Sequence, residues 1–112
     1  MNIKIYRYLY VSESLERKKS RILGKLVSNE LQPDIYVITL AANPQEQLEF
    51  YNSMLLKQKI FSPESLMVVG IARGYEDALY LVEEITRDVY EKTAGTDIRQ
   101  YISERQNQYE RS

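Results

Sequence analysis

Asp34-Ile35-Tyr36-Val37-Ile38-Thr39-Leu40-Ala41-Ala42-Asn43-Pro44-Gln45-Glu46 is the stretch on which the fold turns. Its first nine residues are nearly continuous in apolar and β-branched side chains, as a strand buried on both faces requires. Asn43, Pro44 and Glu46 then give the pattern of a helix start: an N-cap, a proline at the first helical position and a capping-box glutamate. A strand running straight into a helix is the unit of a parallel sheet with helical crossovers.

The same junction recurs on either side. Ile3–Val11 is a strand with bulk on both faces: Tyr6, Tyr8 and Tyr10 alternate with Ile5, Leu9 and Val11. Behind it, Ser12-Glu13-Ser14 opens a helix over Ser14–Ser28 with an apolar stripe of Leu15, Ile22, Leu23, Leu26 and Val27. Gly24 interrupts that helix and costs about 1 kcal/mol relative to Ala, and it allows another element to approach closely. Leu66–Ala72 is the most apolar strand, with Gly70 marking a kink or a close backbone approach. After it, Arg73-Gly74-Tyr75-Glu76 opens a helix to Ala94, with Gly95 as its stop. Asp97 caps a last short helix, and the polar tail 106–112 is expected to fray.

Between these elements, Pro44–Ile60 carries Leu48, Tyr51, Met54 and Leu55 at helical spacing. Leu56 and Ile60 fall on the opposite side of that helix, where they suit a subunit interface. The expectation is an α/β fold: a small three-stranded, mainly parallel sheet in the order β-α-β-α-β-α-α, layered in the Rossmann-like or flavodoxin-like manner, as one domain over 1–105. A strand order of 2-1-3 would make the first strand central.

Composition bounds the chemistry. The chain of 112 residues has no Cys and no His, which removes disulfides, thiolate nucleophiles and the commonest general base and metal ligand. There is no membrane-length apolar run and no export signal, so the cytoplasm is expected. No cofactor or metal is implied. The first strand lacks a GxGxxG or GxxxxGK[ST] loop. The strand ends Ala41-Ala42-Asn43 and Ala72-Arg73-Gly74 lack the acidic cluster of a response-regulator receiver and the Asp-x-Asp of a Toprim-like site.

A net charge of −1 conceals segregation: residues 1–30 hold seven Lys/Arg against three Glu, and residues 31–112 hold eight against thirteen acids. Arg17, Lys18, Arg21 and Lys25 form one basic helix face. Ten Tyr residues, with their apolar bodies and polar tips, suit half-buried surfaces and contacts between chains.

In a parallel sheet all three junctions share one edge, where Ser12, Ser14, Asn43, Arg73 and Gly74 form a candidate ligand site. Helix N-termini, hydroxyls and an arginine favour a phosphate or carboxylate there. Ser12, Ser14 and Asn43 are equally accounted for as helix caps. Glu13, Glu76, Asp77 and Tyr75 are the only groups nearby for catalysis. The function expected is therefore non-catalytic: a homodimeric protein-interaction module through Leu56 and Ile60. Small-anion binding at the strand ends is the alternative, and nucleic-acid binding through the basic helix face ranks below it.

Overall fold

The computed structural model describes residues 3–28, 30–41, 47–57 and 67–111. Its strands are β1 (Lys4–Val11), β2 (Ile35–Leu40), β3 (Leu48–Asn52) and β4 (Met67–Arg73), and its helices are α1 (Lys19–Val27), α2 (Gly74–Thr93) and α3 (Ile98–Arg111). A 3-10 turn over Glu13–Lys18 leads into α1, and another over Ser53–Lys57 follows β3.

The four strands form one mixed sheet in the order β1-β4-β2-β3. Only β1 and β4 are parallel; β2 runs antiparallel to both β4 and β3. This overturns the expected three-stranded, mainly parallel sheet. Two things differ: β2 runs opposite to β1 although α1 joins them, and the expected helix over Pro44–Ile60 contains a strand. Within it Leu48–Asn52 is a strand paired with β2, Leu40 opposite Leu48 and Tyr36 opposite Asn52. Leu48 and Phe50 face one core and Tyr51 the other, a period of two. Leu48, Tyr51 and Leu55 also satisfy helical spacing. Phe50, which has no place in a helical stripe, is explained only by the strand. Asn43 and Ile60 lie outside the described residues, as does the side chain of Leu56.

β1 is not central, as a 2-1-3 order would have it, but an edge. Its bulk on both faces reflects helices on both sides of the sheet. The 3-10 turn and α1 cover one face through Leu15, Ile22 and Leu26 against Leu9, Ile35, Val37, Val68 and Ile71. Helices α2 and α3 cover the other through Ala78, Leu81, Ile85, Val89, Ile98 and Ile102 against Tyr6, Ile38, Leu40, Val69 and Ala72.

β4 carries an irregularity at Val69, where Ile38 pairs with Gly70 and Thr39 with Val68. The extra residue turns Val69 and Gly70 toward the same core. A Cβ on Gly70 would lie 3.0 Å from Leu81 Cδ2 and 3.3 Å from the Tyr10 carbonyl oxygen. The close approach expected at this glycine is therefore made by α2 and β1 together.

β1 departs further from its partner: between Ile5 and Tyr10 it takes five steps while β4 takes two. The backbone N–H of Arg7, inside that irregular stretch, donates to Oε1 of Gln106 at 2.8 Å. Gln106 is buried, and α3 continues through Arg111, so the segment read as a polar tail from Gln106 is helical over its described length. Its first turn is capped as expected, with Asp97 Oδ1 accepting from Gln100 N at 3.0 Å. α2 ends one residue before the expected Gly95: Ala94 takes the left-handed conformation at φ 55°.

Two outcomes follow from this local geometry. Gln106→Leu leaves the Arg7 N–H without its acceptor and lowers unfolding free energy by about 1–3 kcal/mol, read as a lower urea midpoint with unchanged slope. Ala94→Gly relieves the left-handed Cβ and raises stability by about 1 kcal/mol, read as a higher melting temperature.

Candidate functional site

Parallel pairing of β1 and β4 brings their C-terminal ends side by side, and Ser12 N donates to the Ile71 carbonyl at 3.0 Å. Ser12, Ser14, Arg73 and Gly74 therefore do share one end of the sheet. β2 arrives there by its N-terminus instead, with Ile35 opposite Arg73. The end of β2 at Ala41, the last described residue before Asn43, lies at the opposite end of the sheet.

At the shared end a cleft of about 820 Å³ opens between the 3-10 turn and α2, lined by Ser12, Glu13, Ser14, Glu16, Asp77 and Glu84 among others. Ser12 occupies the cap position of the 3-10 turn, but its hydroxyl caps nothing. It lies 3.5 Å from the Ser14 hydroxyl, which donates to Asp77 Oδ2 at 3.3 Å. The caps expected from these serines are thus replaced by a link from the 3-10 turn to α2. Four carboxylates line the cleft and, among the described residues, no Lys or Arg does. Arg73 is exposed and stands outside that lining. Gly74 has φ 81°, a conformation that suits glycine, and its N–H donates to the Asp34 carbonyl at 2.9 Å. The turn geometry alone accounts for Gly74.

Of the groups considered for catalysis, Glu13 and Asp77 line the cleft, whereas Tyr75 lies elsewhere, against Phe50 and Tyr36. Among the described residues no group of Asp and Glu is placed to hold a metal ion. No helix among them is long and apolar enough to cross a membrane.

The basic residues Arg17, Lys18, Arg21 and Lys25 are exposed along the 3-10 turn and α1. None joins an ion pair among the described residues, whose ion pairs are Lys4–Glu110 and Lys92–Asp88. Gly24 lies on this outward face, and a Cβ there would meet nothing within 4 Å. The close approach allowed by that glycine is not made by any described part of the chain.

Two aromatic groupings were not resolved from sequence, though the tyrosine excess signals both. The first joins β1 to α3. The Arg105 guanidinium lies 4.1 Å from the Tyr8 ring centroid and 5.4 Å from that of Tyr101. It also donates to the Tyr101 hydroxyl at 3.2 Å and more distantly to that of Tyr6. Nearby, the Tyr10 hydroxyl donates to Asp88 Oδ2 at 2.5 Å, and Lys92 Nζ lies 2.9 Å from Asp88 Oδ1. Burial and the bond to Asp88 push the Tyr10 phenol far up. Burial opposes ionisation of Asp88, but the hydrogen bonds from Tyr10 and Lys92 prevail and hold its carboxyl below the ordinary range.

The second grouping lies along the seam between α2 and the edge strand β3. Phe50 and Tyr75 have ring centroids 5.4 Å apart, with Tyr36 within 6.5 Å of both. Tyr75 is 57% exposed, and Leu79, one turn further along α2, is 41% exposed. The seam continues past a hollow of about 650 Å³ lined by Leu48, Val82, Thr86 and Ile98 among others. β3 has no strand on its outer edge among the described residues.

No family model, curated protein or solved structure matches the chain.

Tyr10, with a raised folded pKa, contributes stability that is complete below the ordinary phenol value of 10.0 and is lost as pH rises beyond it. Asp88, with a lowered one, contributes stability that is complete above the ordinary carboxylate range and is lost as pH falls through its folded value. Tyr10→Phe lowers unfolding free energy at neutral pH by about 1–2 kcal/mol and flattens the alkaline loss. Urea unfolding across pH 3–12 reads both effects; Tyr6 and Tyr51, whose phenols burial also raises, retain part of the alkaline slope.

Proposed function

We propose that the protein is a non-catalytic interaction module of the cytoplasm that pairs with a second copy of itself through the seam between α2 and β3. One observation carries this reading: Tyr75 and Leu79 of α2 stand exposed, Tyr75 against half-buried Tyr36 of β2 and Phe50 of the edge strand β3. An apolar group of this kind, rimmed by polar residues, is a common mark of a protein contact. A second copy suits it because β3 is compatible with itself. Antiparallel pairing about Phe50 sets Glu49 opposite Tyr51 and Leu48 opposite Asn52, so no like charges face each other. A net charge of −1 leaves little long-range repulsion between copies.

The cleft at the strand ends lends less support to the small-anion alternative. Its carboxylates repel an anion, and Arg73 alone of the candidate residues offers a positive charge there. The inventory for catalysis is equally thin, since Glu13 and Asp77 face the cleft without a basic partner in its lining.

Light scattering coupled to size exclusion is expected to give a dimer at micromolar concentration. Tyr75→Ser/Leu79→Glu changes only exposed side chains and yields a monomer with an unchanged circular dichroism spectrum. A wild-type protein that stays monomeric up to high micromolar concentration overturns the reading.

A further inference from the structure

The outward face of α1 meets no described part of the chain at Gly24. Gly24 stands in mid-helix with open space where its Cβ would be, so packing among the described residues gives no reason for a glycine. Ser20 and Ser28 flank it at four-residue spacing on the exposed surface. Arg21 and Lys25, also exposed, border this low strip. A low surface edged by cations that join no ion pair among the described residues suits a close, negatively charged protein surface better than a nucleic acid, which has no need of the glycine.

The same chain carries such a surface. Glu13, Glu16, Asp77 and Glu84 line the cleft at the strand ends, with exposed Tyr80 beside them. The cleft, at about 820 Å³, has ample room for two long cationic side chains. Among the described residues these acids form no ion pair with the α1 cations.

We propose that α1 of one copy docks through Arg21, Gly24 and Lys25 onto the acidic cleft of a second copy. This contact is distinct from the α2–β3 seam. The seam joins like with like and closes a pair; the α1 contact joins unlike surfaces and extends the assembly. It rests on attraction between segregated charges, so it weakens as salt shortens the Debye length.

Sedimentation of the full chain at about 0.05 M and about 1 M salt tests it, the Debye length falling to roughly 3 Å in the latter. The expected result is a species larger than the seam dimer at low salt that reverts at high salt. Arg21→Glu/Lys25→Glu and Glu16→Lys/Glu84→Lys each abolish that species, and an equal mixture of the two variants restores it. Gly24→Ala raises the melting temperature yet weakens the salt-dependent association by about tenfold or more. In Leu79→Glu the salt-dependent association persists, which separates failure of this contact from failure of the seam. A wild-type mass independent of salt overturns the proposal, as does an undiminished association in Gly24→Ala. Salt-dependent retention on an oligonucleotide column, lost in Arg21→Glu/Lys25→Glu without any salt-dependent mass, assigns the face to nucleic acid instead and also overturns it.

Discussion

Leu81 of α2 reaches to within 3.0 Å of the point where a side chain on Gly70 would begin, and the molecule is organised around that approach. β4 is paired on both edges and covered on both faces; Val68, Val69, Ile71 and Ala72 are all buried. The irregularity at Val69 turns two successive residues toward α2, so one of them must be small for the helix to lie against the sheet. Gly70 meets that need, and with α2 seated, Ala78, Ile85 and Val89 follow Leu81 into the same core. α3 then returns along the far side and covers β1.

The elements flanking β4 were legible in the sequence because their signals do not compete. Leu66–Ala72 has no alternative as a buried strand, and the long stripe of α2 fits only a helix. The stretch after β2 was not legible, because Leu48-Glu49-Phe50-Tyr51-Asn52 satisfies two periods at once. The Asn43-Pro44 signal weighted the reading toward a helix, while the aromatic pair Phe50-Tyr51 favoured a strand. Tertiary pairing decides such a case: β2 is buried on both faces and needs a partner beyond β4, and β3 is the nearest segment in the chain. Two departures changed the class of the sheet: the hairpin to β3 reverses the chain beyond β2, and β2 itself runs opposite to β1 although α1 lies between them, so strand-helix-strand order did not fix a parallel pair.

That reversal also divided the candidate site. Residues at the ends of β1 and β4 remained neighbours because those strands are parallel; the end of β2 left the group because β2 is not. What sequence could not show was the sign of the resulting cleft. Its acids come from the 3-10 turn and from α2, elements far apart in the chain; Glu13, Glu16 and Asp77 each read as ordinary first-turn residues and Glu84 as a solvated mid-helix one. Only packing places Glu13 and Glu16 opposite Asp77 and Glu84.

The two edges of the sheet are treated differently, and this difference supports the proposal that a second copy pairs at β3. On β1, Gln106 satisfies the Arg7 N–H, and Arg105 packs against Tyr8 and Tyr101, so α3 occupies the ground an added strand would need. Lys4 and Glu110 close the end of that edge with an ion pair. On β3 these ties are at its C-terminal end, through Asn52 to the Pro33 carbonyl and through the following Ser53 to the Gln32 carbonyl. The rest of the strand keeps Leu48, Phe50 and Tyr51 only half-buried, with Glu49 as its single charge. Natural edge strands are commonly guarded by lysine, proline or a covering element, and β1 has such a cover in α3. Self-pairing at β3 would meet the same requirement by supplying both hydrogen-bonding groups and apolar cover from a second copy.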